Sequence, residues 1–519
     1  MRLEKTKNAK RNILFGALNK FVTLLLPFFI RSVIIYVLTA GHLGLNGLFS
    51  SILQVLNLTE LGFSSAVVYS MYKPIAENDE EKICALLNFY RKVYFSIGCI
   101  VLVIGIGLFP FLDFLISGEY PDDIDIHLIY FVYLFNTVIS YFAFAYKNSL
   151  LNAHQRTDII SNINTITLGL LYVLQIIFLF VTKNYYVYIF LMPFFTIINN
   201  ILIAIITKKM YPKYFCKGKI SKETLSGIIK QISGLMVTKI CAVTRNSFDS
   251  IFISAFFGLT VTAIYGNYYY IMSAIVGILT VISNGILAGV GNSIVTDSTK
   301  KNYNDMRKMN FLYMWITGWC TICLCCLYQP FMTLWVGTDL MFSFDIVICF
   351  CVYFYSLEMG VVRGVYSDAA GLWWQNRYRA LAESIVNIVL NFCFALWFGV
   401  IGIIVATLIS LIIINFGFGS QIVFKYYFKD SSLLKEYFID NVKYALVTFI
   451  IGFSTFFACY FISVEGFLGL VIKALVCLVV PNILYVIIYY RTQMYNNSMK
   501  WILSSLHLDK KLKFLVPKH

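Results

Sequence analysis

Long apolar runs recur along the whole chain, and they constrain its fold more than any other feature. A helix needs about 20 apolar residues to cross a hydrocarbon core of about 30 Å. With 59% hydrophobic and 13% charged residues, the chain of 519 residues lacks the charge to cover a soluble surface of its size. The runs therefore predict an all-α integral membrane protein with about 14 transmembrane helices. The predicted spans are residues 13–38, 44–70, 89–112, 128–146, 159–182, 185–207, 227–256, 262–295, 309–335, 344–366, 380–398, 401–424, 442–463 and 467–490.

Basic residues are concentrated in alternate connections between these spans. Most of the 41 Lys and Arg residues lie in the N-terminus, the C-terminal tail and the connections 73–92, 147–156, 208–230, 300–308, 363–379 and 425–443. The opposite connections carry a single basic residue, Lys183. Because positive charge stays on the cytoplasmic side, this pattern predicts two cytoplasmic termini. It also explains the net charge of +15 through attraction to anionic lipid, without a nucleic-acid partner.

A basic segment after the sixth span divides the chain into two halves. The triplet Gly47-Leu48-Phe49 opens the second span, and Ala263-Ile264-Tyr265 opens the eighth, at the corresponding place. Six spans per half predict parallel repeats about an axis along the membrane normal. The predicted domains are a six-helix bundle 1–207, a basic cytoplasmic linker 208–226, a six-helix bundle 227–424, two additional helices 425–490 and a basic cytoplasmic tail 491–519.

Two basic residues lie inside the first helix of each half. They are Lys20 and Arg31 in the first half, and Lys239 and Arg245 in the second. A charge at membrane depth costs several kcal/mol unless it faces protein or water, so it marks a functional site by default. Eleven residues bring Lys20 and Arg31 back to within about 20° on one helix face. We interpret the four cations as substrate-binding residues of a central cavity. Arg and Lys there suit an anionic headgroup, above all a diphosphate.

Structural roles are the alternative for the same residues. Lys20 can extend to the cytoplasmic interface, and Arg245 and Asp249 have the i, i+4 spacing of a helical ion pair. Glu60 and Asp249 are candidate coupling or structural acids. Without the residues shared with the basic connections and the first two residues of each span, the spans contain five basic residues and four acidic ones, Glu60, Asp249, Glu358 and Glu383. An acidic cavity would favour a carrier of cationic drugs. The balance of charges in these spans does not favour such a carrier.

The chain shows no pattern typical of an enzyme. All five histidines lie in connections, at helix ends or in the tail, and no glycine-rich phosphate loop follows a strand. The group Cys320, Cys323, Cys325 and Cys326 lies within one predicted helix without a nearby histidine, so we interpret these residues as small buried thiols. We therefore predict a transporter with no metal site and no cofactor. The outward connections are too short for the catalytic loop of a glycan-assembly enzyme.

Six segments resemble one family of membrane exporters: Gly44–Ser50, Thr59–Ala66, Tyr72–Asp79, Asp249–Ser254, Ile264–Tyr269 and Asp368–Trp373. They are similar to the second, seventh and eighth helices, and to the connection after the tenth helix, of polysaccharide or oligosaccharide flippases in the multidrug/oligosaccharidyl-lipid/polysaccharide exporter superfamily. The similarity extends over roughly residues 10–430. Cavity charges differ among members, so Lys20, Arg31, Lys239 and Arg245 follow from helix geometry and not from the resemblance.

The resemblance implies two six-helix bundles in a V, a central cationic cavity and alternating access. It implies a bacterial inner membrane protein whose cargo is an undecaprenyl-diphosphate-linked oligosaccharide for an envelope polysaccharide. Its partners would be that lipid-linked oligosaccharide and membrane lipid, with a polysaccharide polymerase as a further candidate. The alternative function is a cation-coupled multidrug antiporter of the same fold.

Overall fold

A computed structural model of the chain describes residues 5–57, 63–118 and 120–505, and regular structure there is helical, with no strand in those ranges. The α-helices are α1 (Lys5–Val37), α2 (Ala40–Leu56), α3 (Phe63–Glu77), α4 (Glu80–Leu108), α5 (Ile126–Phe142), α6 (Asn148–Ala153), α7 (Thr157–Thr182), α8 (Tyr185–Met210), α9 (Lys222–Thr296), α10 (Thr299–Val336), α11 (Phe344–Met359), α12 (Val361–Ala369), α13 (Trp373–Ile409), α14 (Gly419–Val423), α15 (Ser432–Tyr460), α16 (Gly466–Tyr489) and α17 (Gln493–Ser505). Three 3₁₀ segments (Phe109–Leu115, Ala145–Lys147 and Thr338–Leu340) and two π-helical segments (Ser410–Phe418 and Phe424–Phe428) complete the regular structure of the described residues.

The described residues confirm an all-α membrane protein. They contain 10 helical stretches that are long and apolar enough to cross a membrane, or 11 if the bent pair Ile126–Phe142 and Ala145–Ala153 forms one span. The exact number of 14 spans stays a prediction. The chain exposes many large apolar side chains, among them Phe449, Phe453 and Phe467. Such surfaces are stable against hydrocarbon and costly in water.

Two of these long stretches contain a turn at a glycine with positive φ. Gly258 (φ 82°) interrupts α9, and Gly399 (φ 66°) interrupts α13. This backbone conformation strains a residue that carries a Cβ, so glycine is required at both turns. Tyr265 hydrogen-bonds back to Asp249 across the first turn. The chain therefore reverses at Gly258, between the predicted spans 227–256 and 262–295.

The chain also reverses at Gly399 in α13, and hydrogen bonds again join the two segments on either side of the turn. Asn387 donates to Thr407 at 2.9 Å, and Asn415 donates to Glu383 at 2.9 Å. These pairs lie at increasing distances on either side of Gly399, so the two segments run antiparallel. The turn falls between the predicted spans 380–398 and 401–424.

The chain divides into two compact units, Met1–Gly266 and Asn267–His519. In the first unit, α1 packs along α7, where Asn19 donates to the Ser161 carbonyl oxygen at 3.3 Å and to Thr165 at 3.2 Å. The start of α2 packs on the chain reversal of α9: a Cβ on Gly44 would lie 2.0 Å from the Leu259 carbonyl oxygen. The bounds of the predicted bundles and linker stay a prediction.

In the second unit, α10 packs against α11, α15, α16 and α17. The Arg307 guanidinium binds Glu436 at 2.6 Å and Asp440 at 2.7 Å, which fixes α15 to α10. Trp315 donates from its indole nitrogen to Asn482 of α16 at 3.0 Å. The last two predicted spans are thus packed into this unit through α10.

Candidate functional site

Arg31 lies against the second segment of α9 within the first unit. A Cβ built on Gly266 would lie 2.8 Å from Nη2 of Arg31. The guanidinium group therefore occupies the space that a side chain at position 266 would need. The Arg31 side chain is half-buried, which leaves part of it accessible. Glycine at position 266 therefore allows this cation to approach the backbone of α9 closely.

Asp249 and Tyr265 form a buried pair beside this contact. The Tyr265 hydroxyl donates to Oδ2 of Asp249 at 3.2 Å, and the two side chains are 1% and 0% exposed. Tyr265 directly precedes Gly266 in the chain, so this pair is joined to the segment of α9 that Arg31 contacts. Arg245 lies one turn before Asp249 and is 7% exposed, with interactions of its own inside the protein. Arg31, Arg245 and Asp249 all belong to the first unit.

Among the other predicted site residues, Lys20 is exposed and lies about 16 Å before Arg31 along α1, at 1.5 Å per residue. Lys239 belongs to α9, but its side chain lies outside the described residues, and Glu60 falls in the gap between residues 57 and 63. The substrate-binding roles of Lys20, Arg31, Lys239 and Arg245 stay predictions.

The arrangement provides charge and hydrogen bonding. A half-buried guanidinium can form two parallel, charge-assisted hydrogen bonds to phosphate oxygens, and such bonds are stronger than those between neutral groups. The Tyr265 hydroxyl already donates to Asp249, and such a hydrogen bond lowers the capacity of that carboxylate to bind another cation. The Arg31 guanidinium therefore has the chemistry to bind an anion.

The carboxylates of the second unit are also occupied by protein donors. Tyr313 donates to Glu358, whose side chain is 2% exposed. Arg379 binds Glu383 at 2.7 Å, and Asn415 donates to both of its oxygens. Asp249, Glu358 and Glu383 thus each have a donor inside the protein.

Sequence reasoning missed a buried cation, Arg363, which lies where the predicted span 344–366 and the predicted connection 363–379 overlap. The structure places Arg363 in α12 at 6% exposure, where its guanidinium donates to the carbonyl and side-chain oxygens of Asn415, both at 3.1 Å. A Cβ on Gly419 would lie 1.8 Å from Nη1 of Arg363. Asn415 belongs to the π-helical segment Ser410–Phe418, a distortion that often marks functional sites. The available signal in the sequence was the two glycines near Arg363, Gly360 and Gly364, since small residues leave room for a guanidinium.

A second feature missed by sequence reasoning is a basic groove in the first unit. Arg91 and Lys92 of α4 line a cavity of about 580 Å³ together with Phe95, Phe142 and Tyr146. The Phe95 and Phe142 rings stack with centroids 5.0 Å apart. The sequence alone placed both cations at the cytoplasmic end of a span, where such a groove would face anionic headgroups.

Comparisons with solved structures give one consistent result. The chain is similar to the inward closed conformation of the lipid II flippase MurJ, with a TM-score of 0.61, 17% identity, and coverage of 92% of this chain and 99% of that one. It is similar to an inward-facing multidrug resistance MATE family transporter of the MOP superfamily, with a TM-score of 0.60, 13% identity, and coverage of 82% and 99%. It is also similar to the Vibrio cholerae MATE transporter VcmN, with a TM-score of 0.54, 14% identity, and coverage of 82% and 99%.

No family model and no curated protein matches the sequence. The likeness to MurJ and to the MATE transporters extends over almost the whole length of each of them. It confirms the superfamily fold that the sequence segments predicted. This chain therefore has the fold of the multidrug/oligosaccharidyl-lipid/polysaccharide exporters, a fold of membrane transporters.

Proposed function

We propose that the protein is a flippase that moves a lipid-linked oligosaccharide from the cytoplasmic to the outer leaflet of a bacterial inner membrane. Its cargo is an undecaprenyl-diphosphate-linked repeat for an envelope polysaccharide, and both of its termini are cytoplasmic. The observation that carries the proposal is the half-buried Arg31, which lies against Gly266 at a membrane-spanning helix. A diphosphate offers that guanidinium several oxygens at once.

The state of the acids supports a flippase over a carrier of cationic drugs. Asp249, Glu358 and Glu383 each accept a hydrogen bond from a protein side chain. A cationic substrate would have to displace those donors. The half-buried Arg31 offers an anionic headgroup a positive charge on a membrane-spanning helix. The MATE transporters share the fold, so the drug antiporter is the alternative outcome of the test below.

In the proposed mechanism, the diphosphate binds Arg31 and the other cavity cations from the cytoplasmic side, while the polyprenyl chain stays in lipid. Alternating access then exposes the bound headgroup to the opposite side. The cations make this step possible because they replace the hydration that the diphosphate loses. The driving force comes from an ion gradient, the membrane potential or consumption of the product.

The test is deletion of the gene followed by labelling of the lipid-linked repeat in each leaflet. The proposal predicts accumulation at the cytoplasmic leaflet and loss of the surface polymer. Arg31→Ala should fail to restore export at normal protein level. Arg31→Lys keeps the charge but cannot form two parallel hydrogen bonds, so it should restore export in part. Lys20→Ala should impair export, with Lys20→Arg as its charge-preserving control. Normal polymer export combined with altered drug resistance would instead identify an antiporter.

A further inference from the structure

Three buried thiols from three different helices meet inside the second unit. Cys326 of α10, Cys459 of α15 and Cys477 of α16 place their sulfur atoms within 4.8 Å of one another. The sulfurs of Cys459 and Cys477 are 3.9 Å apart. The three residues are 5%, 4% and 0% exposed. Sequence reasoning considered only the cysteines of α10, and the two other partners come from more than 130 residues further along the chain.

The spacing of these sulfurs matches a metal-thiolate site. A metal ion in the plane of three sulfurs, about 2.3 Å from each, sets them about 4.0 Å apart. A disulfide would need its two sulfurs at about 2.05 Å and would leave the third thiol unused. The 3.9 Å between the Cys459 and Cys477 sulfurs agrees with the first arrangement, and all three sulfurs lie within 4.8 Å of one another.

Cys323 adds a fourth thiol at the edge of the cluster. It lies three residues before Cys326, on the same side of α10, in the spacing of a C-x-x-C pair. Its sulfur lies 3.9 Å from the Cys477 carbonyl oxygen and also contacts the Cys477 side chain. A small rotation of this side chain would bring a further sulfur ligand to the site.

The surroundings select the kind of ion. The cluster itself contains sulfur and no carboxylate or imidazole, and it lies in an apolar core with Ile322, Ile451 and Tyr485. Thiolates without oxygen ligands select soft ions such as Cu(I). Three thiolates around a monovalent ion carry two negative charges, and Lys473, one turn before Cys477, interacts electrostatically with Cys459 and offsets part of that charge.

We propose that Cys326, Cys459 and Cys477, with Cys323 at their edge, form a binding site for one soft monovalent metal ion of the Cu(I) type. Each thiol that binds the ion releases its proton to solvent, and no sulfur is oxidised. Because the ligands come from α10, α15 and α16, the bound ion fixes the last two long helices to the second unit. This role does not depend on the transport function.

The test uses the full-length protein, purified in detergent under reducing and anaerobic conditions and titrated with Cu(I) against a chromophoric Cu(I) chelator. The proposal predicts one tightly held Cu(I) per chain. Cys326→Ser, Cys459→Ser and Cys477→Ser should each weaken binding at least tenfold. Cys393→Ser is the matched control, since Cys393 lies in α13 and outside the cluster, and it should leave binding unchanged.

X-ray absorption on the wild-type Cu(I) complex gives an answer that does not depend on whether the variants fold. It should show a first shell of two or three sulfur ligands at about 2.3 Å. Binding that survives all three substitutions, a shell of nitrogen or oxygen, or tighter retention of Zn(II) than of Cu(I) would each overturn the proposal. A Cys459–Cys477 disulfide, found by peptide mass analysis of protein purified without reductant, would overturn it as well.

Discussion

At the scale of single residues, the placement of Arg31 depends on the absence of a side chain at Gly266. The sequence identified the arginine because a cation at membrane depth is unusual, but nothing in the local pattern indicated the glycine on the opposite segment. Their contact joins residues more than 230 positions apart. Local sequence patterns carry no information on such a pairing, so this part of the site required the structure.

Gly266→Ala tests whether the position of this guanidinium matters. The new methyl group would lie 2.8 Å from Nη2 of Arg31, so the flexible arginine must move. We expect transport to fall about tenfold, which corresponds to about 1.4 kcal/mol of lost binding to the transported state. Stability should not fall, because alanine favours a helix over glycine by about 1 kcal/mol. Transport and thermal unfolding are measured on the same preparations.

Gly289→Ala is the matched control, since no atom lies within 4 Å of the Cβ it would add. It should leave transport at the wild-type level. Equal transport by both variants would show that the approach of Arg31 to Gly266 has no role.

His42 predicts a dependence of stability on pH. It is 2% exposed, and its ring nitrogens lie 2.8 Å from the Thr39 hydroxyl and 3.3 Å from Oδ2 of Asp123. Burial lowers the pKa of His42 below its ordinary value of 6.5, although Asp123 acts in the opposite direction. As the pH falls through 6.5, the unfolded chain takes up a proton that the folded chain does not, so stability decreases.

The measurement is thermal unfolding in detergent from pH 8 to pH 5, for the wild type and for His42→Gln. The wild type should lose more stability toward pH 5 than the variant, which has no imidazole at this position. An identical dependence in both proteins would contradict a buried, neutral His42.

At the scale of helices, hydropathy indicated the long apolar helices of the described residues, and the number of spans stays a prediction. The turns at Gly258 and Gly399 fall where two predicted spans adjoin, because a reversal inside a long apolar stretch requires a glycine. Arg363, in contrast, fell where the predicted span 344–366 and the connection 363–379 overlap, and the structure places it in α12. Its charge made the segment look exposed, and the compensating oxygens of Asn415 are distant in sequence. Burial of a paired charge is a tertiary effect that hydropathy does not register.

Gly44→Ala should destabilise the packing of α2 on α9. The added methyl group would lie 2.0 Å from the Leu259 carbonyl oxygen, and a backbone atom cannot move aside as a side-chain end can. Overpacking of this kind costs about 2 kcal/mol. We expect a lower midpoint of thermal unfolding in detergent.

Gly47→Ala provides the control in the same helix, since its new methyl group would make only an ordinary contact, 3.8 Å from Thr262. It should match or exceed the wild type in stability. If both variants unfold like the wild type, α2 does not pack on α9 as described.

At the scale of the whole molecule, the sequence predicted the fold class and the superfamily, and solved structures confirm the fold over most of the chain. These features follow from hydropathy, charge alternation and short motifs, which are local. The thiol cluster and the network around Arg363 depend on side chains from several helices meeting in space. The fold does not identify the cargo, because the same fold occurs in a lipid II flippase and in multidrug transporters.

The most direct measurement of the central claim is translocation in vesicles that contain only this protein. A fluorescent lipid with a diphosphate-linked oligosaccharide headgroup is placed in the membrane, and a membrane-impermeant reagent follows its transfer between leaflets. We predict rapid transfer by the wild type, at least tenfold slower transfer by Arg31→Ala, and none for the same lipid with an uncharged linkage. Equal rates for the charged and uncharged headgroups, or for wild type and Arg31→Ala, would contradict recognition of the diphosphate by this cation.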